Sequence, residues 1–224
     1  MNAIQQKNPL VELSEQEFID CCTDVVPTPA QSCWGHGPQA TWNFLLNYTH
    51  GTDSTEASYP YNLHARKGNN NMTCALKNRG GSGVTVNGTK IVQSKAKIGS
   101  YVSANTDKTT GNQDLILAAL VKYGPGNIGV DATCLFGYKK GIISNCTGKS
   151  VDHATLLVGA GSAPGLLASD GSGAAMPYWI VKNSWGPAYG EGGYYRMERN
   201  HRQVHTHIPR LPAAAREFLL LTLQ

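Results

Sequence analysis

Glycine and proline are frequent in this chain, which favours many turns and short strands over long helices. The 224 residues include 25 glycines and 11 prolines, which favour turns and weaken the interiors of helices. Since 41% of the residues are hydrophobic, the chain can still bury a core. We therefore expect a globular protein built from short helices and short strands, of a length that suits about one or two domains.

The charge composition excludes several other classes of protein. Charged residues make up 15% of the chain, and 19 basic and 15 acidic residues give a formal net charge of +4. An average globular protein has about 25% charged residues, so a disordered polyampholyte, a long coiled coil and a strongly basic nucleic-acid binder are excluded. No apolar run approaches the roughly 20 residues of a membrane helix. We expect neither a nucleic-acid partner nor a membrane partner.

The sequence pattern predicts helices first and strands later. A short helix is predicted over residues 9–22, with Ser14 as the N-cap and Glu17 completing a capping box. A second helix is predicted over 38–48, because proline suits its first position. Further along, a β-like segment is predicted over 90–102 and one more helix over 113–123. Four apolar, strand-like runs are predicted at 128–132, 154–158, 178–182 and 193–197. A Gly/Ala/Ser-rich loop is predicted over 160–176, and the order as a whole predicts an α+β protein with two lobes.

Cysteines and glycosylation sequons favour an oxidising compartment. The chain has six cysteines and four N-x-[ST] sequons, which begin at Asn47, Asn71, Asn87 and Asn145. No pair of CxxC motifs frames a zinc site, and we expect neither a metal site nor a cofactor. The first residues show no basic region followed by an apolar region, so we expect no signal peptide within them.

Two motifs carry candidate catalytic residues. They are Val151-Asp152-His153-Ala154 and Asn183-Ser184-Trp185-Gly186. A histidine that activates a thiol needs a partner that fixes its tautomer and ring plane. An asparagine oxygen can accept the imidazole N–H without adding charge, and a neighbouring tryptophan can keep water off that bond. Since both motifs border strand-like runs, adjacent strands can bring them together.

These two segments resemble the histidine and asparagine motifs of papain-family cysteine peptidases, the family of the lysosomal cathepsins. Three more blocks are similar to that family and stand in its order: the LSEQ…DC segment at 13–21, the SYPY segment at 58–61 and the GP…DA segment at 124–132. The resemblance covers residues 9–199. It implies an α+β, two-lobed fold, with a partial helical first lobe and an antiparallel β-barrel-like second lobe. It also implies peptide or protein substrates and a lysosomal or extracellular location.

The resemblance assigns roles to individual residues. It makes His153 the general base and then the general acid, Asn183 its orienting partner, and Trp185 the shield over their bond. It also implies a subsite for an apolar substrate side chain, lined by Gly37, Pro38, Gly129, Val151 and Ala154. We place a remnant of the helical lobe at 1–85, a β-rich lobe with the histidine and asparagine at 86–200, and a divergent tail at 201–224.

The nucleophile of the family lies in a CGSCW segment before the LSEQ helix, whereas Ser32-Cys33-Trp34 follows that helix. The sequence delays the next helix to Pro38, although a helix N-terminus is what lowers the pKa of a nucleophilic thiol. The family's oxyanion-hole glutamine lies six residues before the nucleophile, and this chain has Pro27 there. We therefore interpret Cys33 as the family's structural CNGG cysteine and expect the nucleophile segment to be absent and activity to be lost.

Two alternatives to that interpretation remain. One is a non-catalytic pseudoenzyme or peptide-binding fragment. The other is an active enzyme in which Cys33 is the nucleophile. The three histidines of the tail have no accompanying carboxylate or thiol, so we expect a solvated tail there rather than a metal site.

The resemblance also implies a pattern of disulfides. Cys21 or Cys22 should pair with Cys74. Cys33 should remain free or form an intermolecular disulfide, because its family partner lies in the segment that we expect to be absent. The family partner of Cys146 lies in a final strand that this chain replaces by its tail. The remaining cysteine, at position 134, has no family partner, and a bridge from it to Cys146 is a substitute.

Overall fold

The chain forms two compact units, each with its own core. A computed structural model describes residues 9–22, 38–61, 85–86, 89–93, 98, 100, 113–146 and 151–199. The units are Met1–Tyr101 and Val102–Gln224. The domain boundaries at 85/86 and 200/201 stay predictions, although Ile91 packs with the core of the first unit. None of the helices in the described ranges is long and apolar enough to cross a membrane.

Helix α1, Glu15–Cys21, begins where the sequence predicts, but its N-terminus is bonded differently. Ser14 is the N-cap, and its Oγ accepts the Glu17 N–H at 3.1 Å while donating to the Tyr59 carbonyl at 2.6 Å. The Glu17 side chain does not return to Ser14. Its Oε2 instead accepts the Ser54 N–H at 2.7 Å, so the predicted capping box is half right.

Helix α2, Pro38–Tyr48, confirms the second predicted helix and its proline start. Its Phe44 ring lies 6.0 Å from Phe18 of α1 and 5.8 Å from Tyr48. The buried residues of this first core are Cys21, Cys22, Phe44, Tyr59 and Ile91. Strands β1, Thr85–Val86, and β2, Thr89–Lys90, form a short antiparallel pair. Most of the predicted β-like segment 90–102 lies outside the described residues.

The second unit is a five-stranded sheet with one long helix packed on it. Helix α3 is Gln113–Tyr123, as the sequence predicts. The strands are Gly126–Val130 (β3), Ile142–Ile143 (β4), His153–Leu167 (β5), Ala175–Lys182 (β6) and Tyr194–Glu198 (β7). Their order is β3-β5-β6-β7-β4. All neighbours are antiparallel except β4 and β7, which are parallel.

Burial of apolar side chains holds α3 against the sheet. The buried core residues are Ile116, Ile128, Val130, Leu135, Leu157, Trp179, Val181, Tyr195 and Met197. One polar contact crosses this core, because the Trp179 indole N–H donates to Gln113 Oε1 at 2.8 Å. A buried indole N–H needs such a partner. Helix α3 ends at Tyr123 and is followed by Gly124, whose φ of +88° suits glycine, and by Pro125.

The loop predicted over 160–176 is wrong over most of its length. Strand β5 continues to Leu167 and β6 begins at Ala175, with pairs from Ala160↔Trp179 to Leu167↔Ala175. The pattern misled because this hairpin is largely exposed, so its small residues show no apolar alternation although the two strands pair along it, with a register shift between Ala163 and Leu167. Gly161 matters for packing, since a Cβ there would lie 2.6 Å from the Tyr178 ring.

Two short elements after β3 were not predicted. The predicted strand 128–132 ends at Val130, and a 3₁₀ turn, Ala132–Cys134, follows it with Asp131 as N-cap. Strand β4 has only two residues, which is too short for a periodic pattern. Strand β4 is held by its pairing with β7, and the Ala132 N–H of the turn donates to Asp152 Oδ1 at 2.8 Å.

Cys146 forms a disulfide with Cys134, and the two Cα atoms are 5.3 Å apart. The substitute bridge that the sequence suggested is therefore confirmed. Cys21 is disulfide-bonded, whereas Cys22 is a free, buried thiol. Cys74 lies outside the described residues, and its pairing with Cys21 stays a prediction.

Candidate active site

The second unit brings His153 and Asn183 together at one end of its sheet. His153 is the first residue of β5 and pairs with Val130 of β3. Asn183 directly follows Lys182, the last residue of β6. Since β5 and β6 are antiparallel neighbours, the start of one lies beside the end of the other. His153 Nε2 is 2.8 Å from Asn183 Oδ1.

The hydrogen bonds around Asn183 determine the tautomer of His153. Asn183 Oδ1 also accepts the Ser184 N–H at 2.8 Å, which identifies this atom as the amide oxygen. Because an amide oxygen can only accept, Nε2 of His153 must donate to it. In the neutral ring Nδ1 then carries no proton and is the free basic nitrogen.

Aromatic rings cover this bond. The Trp185 ring stacks with the His153 ring at 5.1 Å, with 27° between the planes. Trp185 also stacks with Phe136 at 5.5 Å and meets the edge of Tyr189 at 5.0 Å. Asn183 is only 7% exposed, while Trp185 is 38% and Phe136 is 68% exposed. Asn183 is therefore buried, and the rings that cover it face solvent.

Glycines give the loop after Asn183 its path back to β7. The Asn183 N–H donates to the Gly193 carbonyl at 2.9 Å, and the Gly193 N–H donates to the Tyr189 carbonyl at 2.7 Å. Gly193 has a φ of +95° and Gly190 a φ of +52°. A Cβ on Gly190 would lie 2.5 Å from the Tyr194 carbonyl oxygen. The loop needs glycine there both for conformation and for space.

An ion pair anchors the far end of the loop. Arg196 of β7 donates two hydrogen bonds to Glu191, through Nε at 2.9 Å and Nη2 at 2.7 Å. The Gly141 N–H also donates to Glu191 Oε1 at 2.9 Å. The hydrogen bonds from Arg196 lower the pKa of the Glu191 carboxyl, against the opposing effect of partial burial.

Among the cysteines in the described ranges, none is suited to be a nucleophile. Cys21, Cys134 and Cys146 are in disulfides. Cys22 is free, but it is fully buried, and burial raises its pKa to about 11. A buried thiol of raised pKa is inert, because the thiolate is the reactive form. Cys33, which the sequence raised as an alternative nucleophile, lies outside the described residues.

The residues of the predicted subsite fall in different parts of the structure. In the second unit, Gly129 of β3 pairs with Ala154 of β5, next to the pair Val130↔His153. Gly129 is buried, Val151 is half-buried and Ala154 is exposed. Pro38 begins α2 in the first unit, and Gly37 lies outside the described residues. Their role as a subsite stays a prediction.

Sequence reasoning missed Phe136 and Tyr189 as neighbours of Trp185. Tyr189 lies four residues after Trp185, in a glycine-rich loop that shows no periodicity, and Phe136 is distant in sequence. The one local sequence feature that marked Tyr189 was its place in the Tyr189-Gly190-Glu191 segment after the asparagine motif. In the parts of the chain that are described, no group of three or more His, Cys, Asp or Glu residues is arranged to hold a metal ion.

A family profile and individual relatives place this chain in the same protein family. A sequence profile described as "Papain family cysteine protease" matches residues 1–212. A cysteine proteinase of Trypanosoma brucei brucei is 34% identical over 197 residues, which are 88% of this chain and 36% of that protein. A cathepsin L-like protein of Caenorhabditis elegans is 33% identical, over 85% of this chain and 47% of that protein. The chain thus spans about a third to a half of these curated relatives.

Solved structures give the same fold. A digestive procathepsin L 3 of Tenebrio molitor has a TM-score of 0.65 and 26% identity, over 91% of this chain and 56% of that one. Bromelain from Ananas comosus, in complex with the E64 inhibitor, has a TM-score of 0.62 and 28% identity, over 92% of this chain and 79% of that one. The predicted papain-like α+β architecture is confirmed.

Proposed function

The chain belongs to the papain family of cysteine proteases, and from that premise we propose that its second unit supplies the histidine and asparagine of a cysteine-peptidase active site. The observation that carries this proposal is the 2.8 Å bond from His153 Nε2 to Asn183 Oδ1 beneath Trp185. It leaves Nδ1 of His153 as the free base. Peptides or proteins are the proposed substrates.

The geometry supports one sequence of proton transfers. Nδ1 of His153 takes the proton of a thiol, and the thiolate attacks the carbonyl carbon of the scissile bond. As the C–N bond breaks, the same Nδ1 returns the proton to the leaving amine. Nδ1 then takes a proton from a water molecule, whose oxygen attacks the thioester carbon. The C–S bond breaks, the acid product leaves, and the proton on Nδ1 returns to the thiolate. Asn183 accepts the Nε2–H throughout, so the ring does not turn away between steps.

The thiol itself is the second part of the proposal. None of the four cysteines in the described ranges is suited to the role. The sequence order argues against Cys33, because it follows the LSEQ segment that a papain-like nucleophile precedes. We propose that these 224 residues by themselves do not cleave peptides. A peptide-binding role without catalysis is compatible with the same site.

Location and specificity are proposed on the same basis. The relatives include cathepsin-like proteins and a procathepsin, and we propose a lysosomal or secreted protein. The small or apolar residues Gly129, Val151 and Ala154 beside His153 support a preference for an apolar substrate side chain at the second position before the scissile bond.

Two assays on the purified chain test this proposal. The first is hydrolysis of a fluorogenic peptide with an apolar second residue, at mildly acidic pH with reductant. The second is labelling with E64, the inhibitor in the bromelain structure, followed by mass mapping of the modified cysteine. The variants are Cys33→Ser and His153→Ala. Lys182→Ala is the matched control, because Lys182 directly precedes Asn183 and its side chain is exposed.

The outcomes separate the two parts of the proposal. We expect no turnover and no E64 label in any variant. Turnover that is lost in both Cys33→Ser and His153→Ala, but kept in Lys182→Ala, would make Cys33 the nucleophile and overturn the inactive state. Turnover that survives His153→Ala would overturn the role of the histidine.

A further inference from the structure

Two of the four glycosylation sequons begin within the described ranges, and their surroundings differ. The side chains of Asn47 and Asn145 are both exposed. The sequons at Asn71 and Asn87 lie outside the described residues. An N-linked glycan needs an acceptor that stays at the surface after folding, because a bulky polar oligosaccharide cannot enter a packed core. Both described asparagines meet that condition, so the residues that follow each of them distinguish the two sites.

The sequon at Asn47 is built into the first core. Asn47 is the last residue but one of α2, and the ring of Tyr48 stacks with Phe44 at 5.8 Å. Thr49 is only 1% exposed, and its hydroxyl donates to the Leu45 carbonyl at 3.0 Å. The hydroxyl that a glycan-transferring enzyme must recognise is therefore enclosed in the folded first unit.

The sequon at Asn145 begins at the edge of the second unit's sheet. Asn145 lies two residues after β4, which is the last strand in the order β3-β5-β6-β7-β4. The pairs of β4 with β7 involve Ile142 and Ile143, and the disulfide to Cys134 involves Cys146. A glycan on Asn145 therefore leaves both the strand pairing and the bridge intact.

The bridge and the sequon independently indicate the same compartment. Disulfides persist in oxidising compartments, and the secretory pathway, where N-linked glycans are added, is one of them. The two features overlap at Cys146, which is the middle residue of the sequon and one end of the bridge. The inference below rests on the proposed secreted or lysosomal location, which the bridge supports.

We propose that Asn145 carries an N-linked glycan and that its attachment competes with closure of the Cys134–Cys146 bridge. In the transfer, the side-chain nitrogen of Asn145 bonds to the first sugar of a lipid-linked oligosaccharide diphosphate. The bond from that sugar to the diphosphate breaks, and the lipid diphosphate leaves. The amide nitrogen gives up one proton, and nothing is oxidised or reduced.

The competition follows from the position of Cys146. A transferring enzyme binds a sequon as an extended segment, because it must contact the asparagine and the threonine together. Once the bridge is closed, the Cα of Cys146 is held 5.3 Å from that of Cys134, the last residue of a 3₁₀ turn. The backbone next to Asn145 is then no longer free to extend. Chains that close the bridge first should therefore remain without a glycan at this position.

The experiment places the full 224-residue chain behind a cleavable signal peptide, expresses it in a eukaryotic cell line and maps position 145. Enzymatic removal of N-glycans in H₂¹⁸O converts each glycosylated asparagine to ¹⁸O-labelled aspartate, and the tryptic peptide 141–149 contains Asn145. We expect this label in the parent chain. It should be lost in Thr147→Ala and kept in Thr147→Ser, which retains the hydroxyl. A parent chain without label at position 145 would overturn the proposal.

Cys134→Ser tests the competition, because it removes the partner of Cys146 and leaves the sequon unchanged. The labelled fraction at position 145 should rise above that of the parent. Cys21→Ser is the matched control, since it removes a disulfide of the first unit instead, and its labelled fraction should equal that of the parent. No rise in Cys134→Ser, or an equal rise in both variants, would overturn the role of the bridge. A short metabolic pulse measures the fraction inside the cell, so a variant that fails to fold still gives a result.

This readout is separate from the proposed function. Glycan occupancy needs neither a nucleophile nor peptide turnover, so an inactive chain in the peptide assay leaves it unaffected. The added signal peptide delivers the chain to the secretory pathway, so the acceptor is tested apart from the natural location. A failure at position 145 and a failure of the proposed peptidase site are therefore distinguishable.

Discussion

The protonation of one buried carboxyl, that of Asp53, determines how the stability of the first unit depends on pH. Asp53 is nearly fully buried and lies next to Glu17, which is completely buried at the start of α1. Burial, and then the charge of Glu17 and a hydrogen bond with it, raise the pKa of Asp53 to about 9 from its ordinary 3.8. The more exposed Glu15 adds to this effect. Near neutral pH the folded chain therefore keeps the Asp53 carboxyl protonated beside Glu17, whereas the unfolded chain releases that proton.

The sign of the resulting pH dependence follows directly. An acid whose pKa is raised in the fold contributes stability that is full below its unfolded pKa and is lost as pH rises toward its folded pKa. We predict a lower Tm at about pH 8 than at about pH 5. In Asp53→Asn this difference should shrink, because the amide keeps the shape and cannot ionise. The measurement is thermal unfolding across that range for the parent and the variant.

A matched control titrates with the opposite sign. The pKa of Glu191 is lowered by the hydrogen bonds from Arg196, so its contribution is present above its unfolded pKa and is lost as pH falls. Glu191→Gln should leave the loss of stability above neutral pH unchanged. An Asp53→Asn chain that keeps the full pH dependence would contradict the assignment to Asp53.

At the scale of elements, the loop between β6 and β7 depends on glycine at one position. Gly190 has a φ of +52°, and a Cβ there would lie 2.5 Å from the Tyr194 carbonyl oxygen. We predict that Gly190→Ala lowers the free energy of unfolding by about 2 kcal/mol or more, since both strain and overlap must be relieved. Denaturant unfolding measures the loss.

Gly192→Ala is the control for this prediction. Gly192 has a φ of +68°, but a Cβ there would have nothing within 4 Å. That variant suffers the backbone strain without the overlap and should lose less stability. Equal losses in the two variants would show that contact with Tyr194 has no part in the effect.

The Cys134–Cys146 bridge stabilises the turn that supports the aromatic cover. The bridge spans 12 positions, and the turn inside it presents the Leu135 carbonyl and the Phe136 ring to Tyr189 and Trp185. Replacing both cysteines by serine should lower the free energy of unfolding by about 2–3 kcal/mol. Trp185 fluorescence should also change, because Phe136 is freed from its stack.

Denaturant unfolding and fluorescence spectra check this prediction together. Reduction of the parent chain also opens the disulfide of Cys21, so it should lower the free energy of unfolding at least as much as the double variant does. A stable double variant with an unchanged spectrum would contradict the role given to the bridge.

The elements also show where sequence reasoning succeeds. Ser14 and Pro38 are local signals, because capping and a fixed φ act within a few residues, and the helices begin where those residues predict. The His153–Asn183 contact was predictable because both motifs border strands that could be neighbours. The bond of Glu17 to Ser54, the two residues of β4 and the exposed β5–β6 hairpin depend on partners that no local pattern specifies.

At the scale of the whole molecule, the oxidation state of Cys33 tests whether this cysteine has a disulfide partner within these 224 residues. By resemblance to the family, the partner of Cys33 belongs to the nucleophile segment, and none of the cysteines in these 224 residues precedes the LSEQ…DC segment at 13–21. We predict that Cys33 is free or forms intermolecular disulfides under oxidising conditions. A non-reducing gel should show a dimer that disappears in Cys33→Ser, and peptide mapping should locate the bond. Mapping Cys33 to an intramolecular bridge would contradict this prediction.

The central claim is that the second unit holds His153 as a base oriented by Asn183. Its most direct test is the protonation pattern of the His153 ring, measured by long-range ¹H–¹⁵N correlation in the neutral form. The account predicts a proton on Nε2 and none on Nδ1, and predicts that Asn183→Ala removes this fixed preference. A proton on Nδ1 in the parent chain, or a pattern unchanged by Asn183→Ala, would contradict it.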